Sequence, residues 1–342
     1  MLRDAQLMIL DEPTSNLAPG EVSELLSILR RLRAQGKGII FITHKLPEVL
    51  DVCDRVVVLR LGRVTGQARV GDVTRAELAT MMVGRDVTTP HAHRRAGQGA
   101  VRLSVDRVAA RGLGPLSFDV RAGEVLGVAG VDGNGQLELV ETLVGLRPTS
   151  SGSIRLDGRE LARASVDQRV GAGLAYMPAD RSQTALVKSM SVAENLMLRD
   201  SRRRSFASGA FLSHAAIERK ASALMRAYDI RAPSPETRAA RLSGGNQQKI
   251  VVARELDRRP AALIAHQPAW GLDPGATRFV IEQTLALRES GAAILYVSSE
   301  LEEVLDVSDR VAVMADGQFL GIVPRDEVDL AQIGLWMSGR AA

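Results

Sequence analysis

One stretch of this sequence occurs twice. KLPEVLDVCDRVVVL at residues 45–59 returns as ELEEVLDVSDRVAVM at 300–314, a displacement of 255 residues without a gap. The same register carries LRDAQLMILDEP onto DRRPAALIAHQP upstream and sets Gly84 against Gly339 downstream. A repeat of this length means one structural module built twice. The second copy runs from Val101, whereas Met1 falls opposite Leu256, so the first copy reads as the back of a module without its front. The chain therefore divides into a partial module (1–84), a linker (85–100) and a complete module (101–342). The linker, RDVTTPHAHRRAGQGA, lacks apolar periodicity and carries Pro and Gly. Its His91 and His93 read as solvated residues rather than metal ligands.

Within the complete module, apolar runs VLGVAG (125–130), ALIA (262–265) and AAILYVS (292–298) alternate with helical patterns. That alternation predicts an α/β fold with a mostly parallel sheet core and an antiparallel edge. Residues 182–255 break the rhythm with helical segments such as SVAENLML and HAAIERKASALMRAYDI, which predicts a helical subdomain. A first module reduced to 1–84 would lack its central strand, leaving apolar faces uncovered.

Composition narrows the function classes. Basic and acidic residues number 44 and 40 and are interspersed, and aromatics make up 3% of the chain, so neither a basic surface nor a base-stacking platform is expected. The single cysteine, Cys53, forms no internal disulfide and fits a reducing compartment. The N-terminus shows no signal-like apolar run, and nothing approaches the roughly 20 apolar residues of a membrane span, so a membrane role would go through partners.

The chemistry-bearing motifs fall at ends of the predicted strands. VLGVAG runs into GVDGNGQL (130–137) and a helix, the setting of a phosphate-binding loop: Gly130, Gly133 and Gly135, with Asn134, let backbone N–H groups surround an anion. Such a loop calls for Lys at 136 and Ser or Thr at 137, but Gln136 and Leu137 stand there. LSGGNQQK (242–249) offers Ser243, Gly244, Gly245 and Gln247 at a helix start, a second anion-binding arrangement. In the first copy, LMILDEPTSNL ends a strand on Asp11 and Glu12, one carboxylate for Mg2+ and one to act as general base on water. FITHK ends the next strand on His44, placed to meet a terminal phosphate or hold the attacking water. The corresponding positions of the second copy are His266, Gln267 and Ser299. One nucleotide site thus lacks the phosphate lysine, both Mg2+ ligands, the base and the switch histidine.

Together these elements resemble the Walker A, signature, Walker B and switch motifs of ABC ATPases, whose fold is the P-loop NTPase cassette. More narrowly, GVDGNGQ, RAPSPETRAARLSGGNQQK and AHQPAWGLD are similar to the two-cassette ATP-binding subunit of bacterial nucleoside or simple-sugar importers. The resemblance implies ATP and Mg2+ as cofactors, with the cassettes packed head to tail. Asp11, Glu12 and His44 of one would then face Ser243, Gly244 and Gly245 of the other across one ATP. It also implies integral-membrane permease partners, a solute-binding protein acting indirectly, a second copy of the subunit, no nucleic acid, and a peripheral place on the cytoplasmic face of the membrane. Two departures stand out: YMPADRS (176–182) has Ala179 where the family tends to carry an acid, and no aromatic lies between Val101 and Ser117, where adenine would stack. The run Arg202, Arg203 and Arg204 reads as a solvated face.

Two functional readings stay open. One is an importer subunit coupling ATP binding and hydrolysis to solute uptake; the other is an inactive truncated fragment that only binds nucleotide or permease. A soluble two-cassette protein of translation or DNA repair fits the LSGGNQQK signature least well.

Overall fold

The computed structural model describes residues 5–14, 17, 19–43, 45–60, 63–74, 77, 78, 81, 99–200, 207, 208 and 211–337. The first repeat contributes β1 (Leu7–Asp11), α1 (Pro19–Ala34), β2 (Gly38–Ile42), α2 (Leu46–Val52), β3 (Arg55–Arg60) and β4 (Arg63–Arg69). The front of the second supplies β5 (Val101–Ala110), β6 (Leu113–Arg121), β7 (Glu124–Ala129), α3 (Gln136–Val144), β8 (Ser151–Leu156), β9 (Arg159–Glu160), α4 (Val166–Gly171) and β10 (Leu174–Met177). Then follow α5 (Val192–Met197), β11 (Ala207–Ser208), β12 (Phe211–Leu212), α6 (His214–Ala227) and α7 (Gly244–Leu256). The back of the second repeat holds β13 (Ala262–His266), α8 (Pro274–Glu289), β14 (Ala293–Ser298), α9 (Leu301–Val307), β15 (Arg310–Ala315), β16 (Gln318–Pro324) and α10 (Leu330–Met337). Among the described residues no helix is long and apolar enough to cross a membrane.

The six-stranded central sheet has the order β10–β13–β14–β7–β15–β16. Its pairs are parallel except for the β15–β16 hairpin. β7, β13 and β14 are buried at every position, as their unbroken apolar runs require of strands covered on both faces. One face packs through Leu126, Val128, Leu295 and Val297 against Leu139 and Leu143 of α3 and against Val105 and Phe118 of the antiparallel sheet β6–β5–β8–β9. The other face sends Leu263, Ile294 and Tyr296 into a core with Leu196 of α5, Leu224 of α6 and Ile250 of α7. The helical part expected over 182–255 is therefore docked on the sheet, and a small antiparallel pair, β11–β12, interrupts it. α3 stops at Gly145 (φ 86°), where the buried Arg169 donates to the carbonyls of Thr142 and Leu143 and so satisfies the last turn.

The two repeats superimpose element for element along the chain. α1 and α8, α2 and α9, β3 and β15, and β4 and β16 have bounds displaced by the same 255 residues found in the sequence. β1 pairs β2 from Leu7↔Gly38 to Asp11↔Ile42, and β13 pairs β14 from Ala262↔Ala293 to His266↔Val297. Even the irregularities repeat. The β3–β4 ladder shifts register at Val58/Leu59 and β15–β16 at Val313/Met314. Glu12 and Gln267 both take positive φ, 43° and 48°, and donate their N–H to Ile42 and Val297 at 2.8 and 2.7 Å.

What differs is cover. β7 lies between β14 and β15, whereas among the described residues β1–β2 and β3–β4 are separate two-stranded sheets with no strand between β2 and β3. Ile9 and Leu59 are 63% and 70% exposed; their equivalents Ile264 and Met314 are 0% exposed. Leu7, Ile40, Ile42, Val57 and Val64 share that open face. The small core of the first module lies on the opposite side, where Leu26, Leu29 and Val52 meet Leu10, Ile39 and Phe41. α1 also lies against α10 of the second module.

Candidate functional site

β7 delivers the chain into the glycine loop, and α3 begins directly after it. Gly133 (φ 89°) and Gly135 (φ 104°) take the left-handed conformation that only glycine adopts without strain. Gly130 and Gly135 are required by crowding as well: a Cβ at Gly130 would lie 2.6 Å from the Met314 carbonyl, and one at Gly135 2.7 Å from Gly317 Cα. Asn134 fastens the loop to the β15–β16 turn. Its Nδ2 donates to Val131 O, its Oδ1 accepts from Asp316 N, and its own carbonyl accepts from Gly317 N. The Asn134 side chain therefore holds the loop in place.

Gln136 is also turned inward. It is buried, and Nε2 donates to Val131 O at 2.9 Å while Oε1 has no hydrogen-bond partner. A carboxamide thus lies against the loop where a lysine would carry charge toward a phosphate. Leu137, beside it, is 47% exposed.

The other second-module positions converge on the same loop. Gln267 Nε2 donates to Asp132 Oδ1 at 2.7 Å and lies 3.1 Å from Ser299 Oγ, while Ser299 Oγ is 3.2 Å from Gln267 Oε1. The loop, the strand-end position and the switch position are therefore brought together, as their spacing predicts, but through a neutral amide. Burial raises the Asp132 carboxyl, opposed by the bond from Gln267. His266 is buried at the end of β13, and desolvation lowers its pKa to about 4, so the imidazole is neutral near pH 7.

In the first module Asp11 and Glu12 are exposed at the end of β1. Left-handed φ at Glu12 swings its side chain out of the strand's alternation, as at Gln267. His44 lies outside the described residues, as do His91, His93 and Arg202, Arg203 and Arg204. The residues flanking His44 are tied down. Glu48, buried in α2, accepts from Thr14 Oγ1 at 2.9 Å and lies 3.5 Å from Thr43 Oγ1, bridging the loop after Glu12 to the residue before His44. Burial raises the Glu48 carboxyl; the Thr14 bond and the Lys45 charge oppose that rise.

Ser243 caps α7, its Oγ accepting from Asn246 Nδ2 at 3.1 Å, and Gly244 and Gly245 form the first turn. A Cβ at Gly245 would lie 3.1 Å from Ala276 Cβ, so the helix start runs close under α8. Gln247 has a different task from the one its motif suggests. It is buried, with Nε2 donating to Ala239 O at 3.0 Å and Leu242 O at 3.2 Å, so it braces the segment before the helix instead of facing a ligand.

Arg181 was missed by sequence reading. It stands two residues after Ala179, and its Nη1 donates to Trp270 O at 2.7 Å, its Nη2 to Gly271 O at 3.3 Å. Its guanidinium also lies where a Gly244 Cβ would be, 2.8 Å away. One side chain therefore joins the end of β10, the loop after Gln267 and the start of α7. Only the juxtaposition of residues far apart in sequence reveals it.

The cofactors can be tested against these groups. A glycine loop at the start of the nine-residue α3 fits a phosphate. Leu137, His266 and Gln267 present no anionic oxygen to Mg2+ there, and the one carboxyl at the loop, Asp132, is taken up by its bond from Gln267. Asp11 and Glu12 carry the carboxylates that suit Mg2+ and a water, at the other strand end.

The family described as ABC transporter matches residues 113–269. The nucleoside import ATP-binding protein NupA of Lactococcus lactis is 41% identical over 99% of this chain and 68% of that relative. The guanosine import ATP-binding protein NupO of Bacillus subtilis is 41% identical over the same shares, and the glucose import ATP-binding protein TsgD13 of Haloferax volcanii is 42% identical over 99% of this chain and 63% of that relative. Among solved structures, a nucleotide-free ATP-binding cassette from an ABC transporter aligns with a TM-score of 0.57 at 20% identity, covering 66% of this chain and 92% of that one.

Proposed function

This chain belongs to the ATP-binding proteins of ABC importers, and we propose that it is built from the back of one ATP-binding cassette and one complete cassette, sharing a single competent set of catalytic residues. The family couples ATP binding and hydrolysis to import and works with membrane permeases. For this chain we take the solute to be a nucleoside or simple sugar, as the names of its relatives suggest, delivered by a solute-binding protein, with the subunit held at the cytoplasmic face by its permeases.

The observation that carries the reading is the division of chemistry between the two equivalent strand ends. One offers two exposed carboxylates, Asp11 and Glu12; the other offers a neutral His266 and a Gln267 already hydrogen-bonded to Asp132 and Ser299. Asp11 would hold Mg2+, which supplies charge neutralisation of the phosphates when bound. Glu12 accepts the proton of the water whose oxygen bonds to the terminal phosphorus as the bridging P–O bond breaks. His44 orients that water or the terminal phosphate. Ser243, Gly244 and Gly245 donate to the same phosphate from the other module. No step is assigned to the Gln136 loop, which on this reading holds phosphate without Mg2+.

Mg2+-dependent phosphate release from the purified chain tests this. Glu12→Gln is expected to lower turnover by at least about 100-fold with nucleotide binding retained, the usual size of a general-base effect. Equal release by the unchanged and substituted chains would defeat it. The alternative, a module that binds nucleotide or permease without turnover, draws on the carboxamides that stand at the glycine loop, Gln136 and Gln267. Nucleotide binding without phosphate release in either chain would favour it.

A further inference from the structure

Lys45 and Glu300 occupy the same place in the repeat, one residue after the switch positions 44 and 299. The fold sets them against each other across the junction of the modules, with Lys45 Nζ 2.9 Å from Glu300 Oε1. Each is held from its own side in the same manner. Lys45 N donates to Thr43 Oγ1 at 3.0 Å and Glu300 N to Ser298 Oγ at 3.2 Å. Both precede seven-residue helices with nearly identical backbone angles, φ −83° and ψ 96° against φ −82° and ψ 101°. Equivalent residues meet in this way where two like modules pack about a local two-fold axis. At such an axis, pairing of like modules brings a residue against its own copy.

The surroundings make that consequence severe. Lys45 also reaches Thr14 O at 3.3 Å, and the charge of Glu300 acts on both Glu48 and Glu303. Lys45 thus stands between the carboxylates of Glu48 and Glu300. Pairing two second modules would set Glu300 against Glu300, and pairing two first modules would set Lys45 against Lys45. Only unlike modules place opposite charges at the axis.

We infer that Lys45 and Glu300 form a pairing code at the module junction, which accepts the unlike module of the same chain and rejects the like module of another copy. The inference rests on the two-module reading above. Attraction across a partly exposed pair is weak on its own; the discrimination comes from like-charge repulsion in the wrong pairings.

Limited proteolysis of the full chain, without nucleotide, tests the code independently of ATP hydrolysis. Lys45→Glu and Glu300→Lys are each expected to speed loss of the first module about threefold or more, and the double exchange to return within about twofold of the unchanged rate, the non-additivity of a direct contact. The neutral variants Lys45→Gln and Glu300→Gln keep side-chain size and control for folding: both should be cleaved more slowly than the reversals. An equimolar mixture of Lys45→Glu and unchanged chains should contain about threefold more inter-chain dimer, by light scattering, than either alone, because unlike charges then meet between first modules. Four chains cleaved alike, reversals no faster than the neutral variants, a double exchange as labile as the two single effects combined, or a mixture with no added dimer would overturn the inference.

Discussion

Glu48 shows how one buried carboxyl can serve a site it does not enter. It ties Thr14, two residues after Glu12, to Thr43, the residue before His44, and does so at 6% exposure. Its proton affinity is raised in the fold because burial outweighs the Thr14 bond and the nearby Lys45. A carboxyl that holds its proton more tightly folded than unfolded stabilises the fold in acid. That contribution fades as pH climbs from the ordinary carboxylate range through the raised value. Glu48→Gln keeps an acceptor for Thr14 and abolishes the titration, so urea midpoints measured from acid to neutral pH should fall less steeply than in the unchanged chain. An identical slope in both would remove Glu48 as its source.

At the scale of the element, the glycine loop separates two reasons for a glycine. Gly133 has positive φ and open space around it, whereas Gly135 has positive φ and the Gly317 backbone 2.7 Å from where a Cβ would stand. Gly133→Ala should cost about 1–2 kcal/mol, the price of a left-handed alanine. Gly135→Ala should exceed it by at least about 1 kcal/mol, because a clash with backbone cannot be relieved by rotating a side chain. Urea unfolding of the two variants checks the order, and equal losses would mean the loop yields where the fold shows it wedged against the β15–β16 turn.

At the scale of the molecule, the same residue in the same register meets opposite fates in the two modules. Ile264 is sealed between the sheet and α3, while Ile9 faces outward at 63% exposure. Ile264→Ala should therefore cost about 2–5 kcal/mol through lost burial and the cavity left behind. Ile9→Ala should stay within about 0.5 kcal/mol. Thermal midpoints of the two variants decide the matter; a large loss at Ile9 would mean that its face is covered in solution. The open face around Ile9 and Leu59 is also the patch most expected to bind an apolar dye, since contiguous exposed apolar surface of this kind is uncommon on stable monomers.

Much of this protein was legible before any fold was seen. The displacement between KLPEVLDV and ELEEVLDV predicts strands and helices that fall at the same spacing, because a repeated apolar pattern dictates the same local geometry twice. Strand-end positions could be named too, since Asp11, Glu12, His266 and Gln267 follow apolar runs that must terminate where they stand. The open face of the first module was likewise implied by a strand with no counterpart. Where a carboxamide spends its donors was not legible. Gln247, Gln136 and Asn134 sit within ligand-binding motifs, yet each bonds to backbone, because hydrogen-bond direction is set by neighbours that packing supplies. Arg181 against Trp270 and Gly271, and Lys45 against Glu300, lay beyond reach for the same reason. Spacing along a chain reports which face a residue takes; only the packed structure decides which distant charge it meets there.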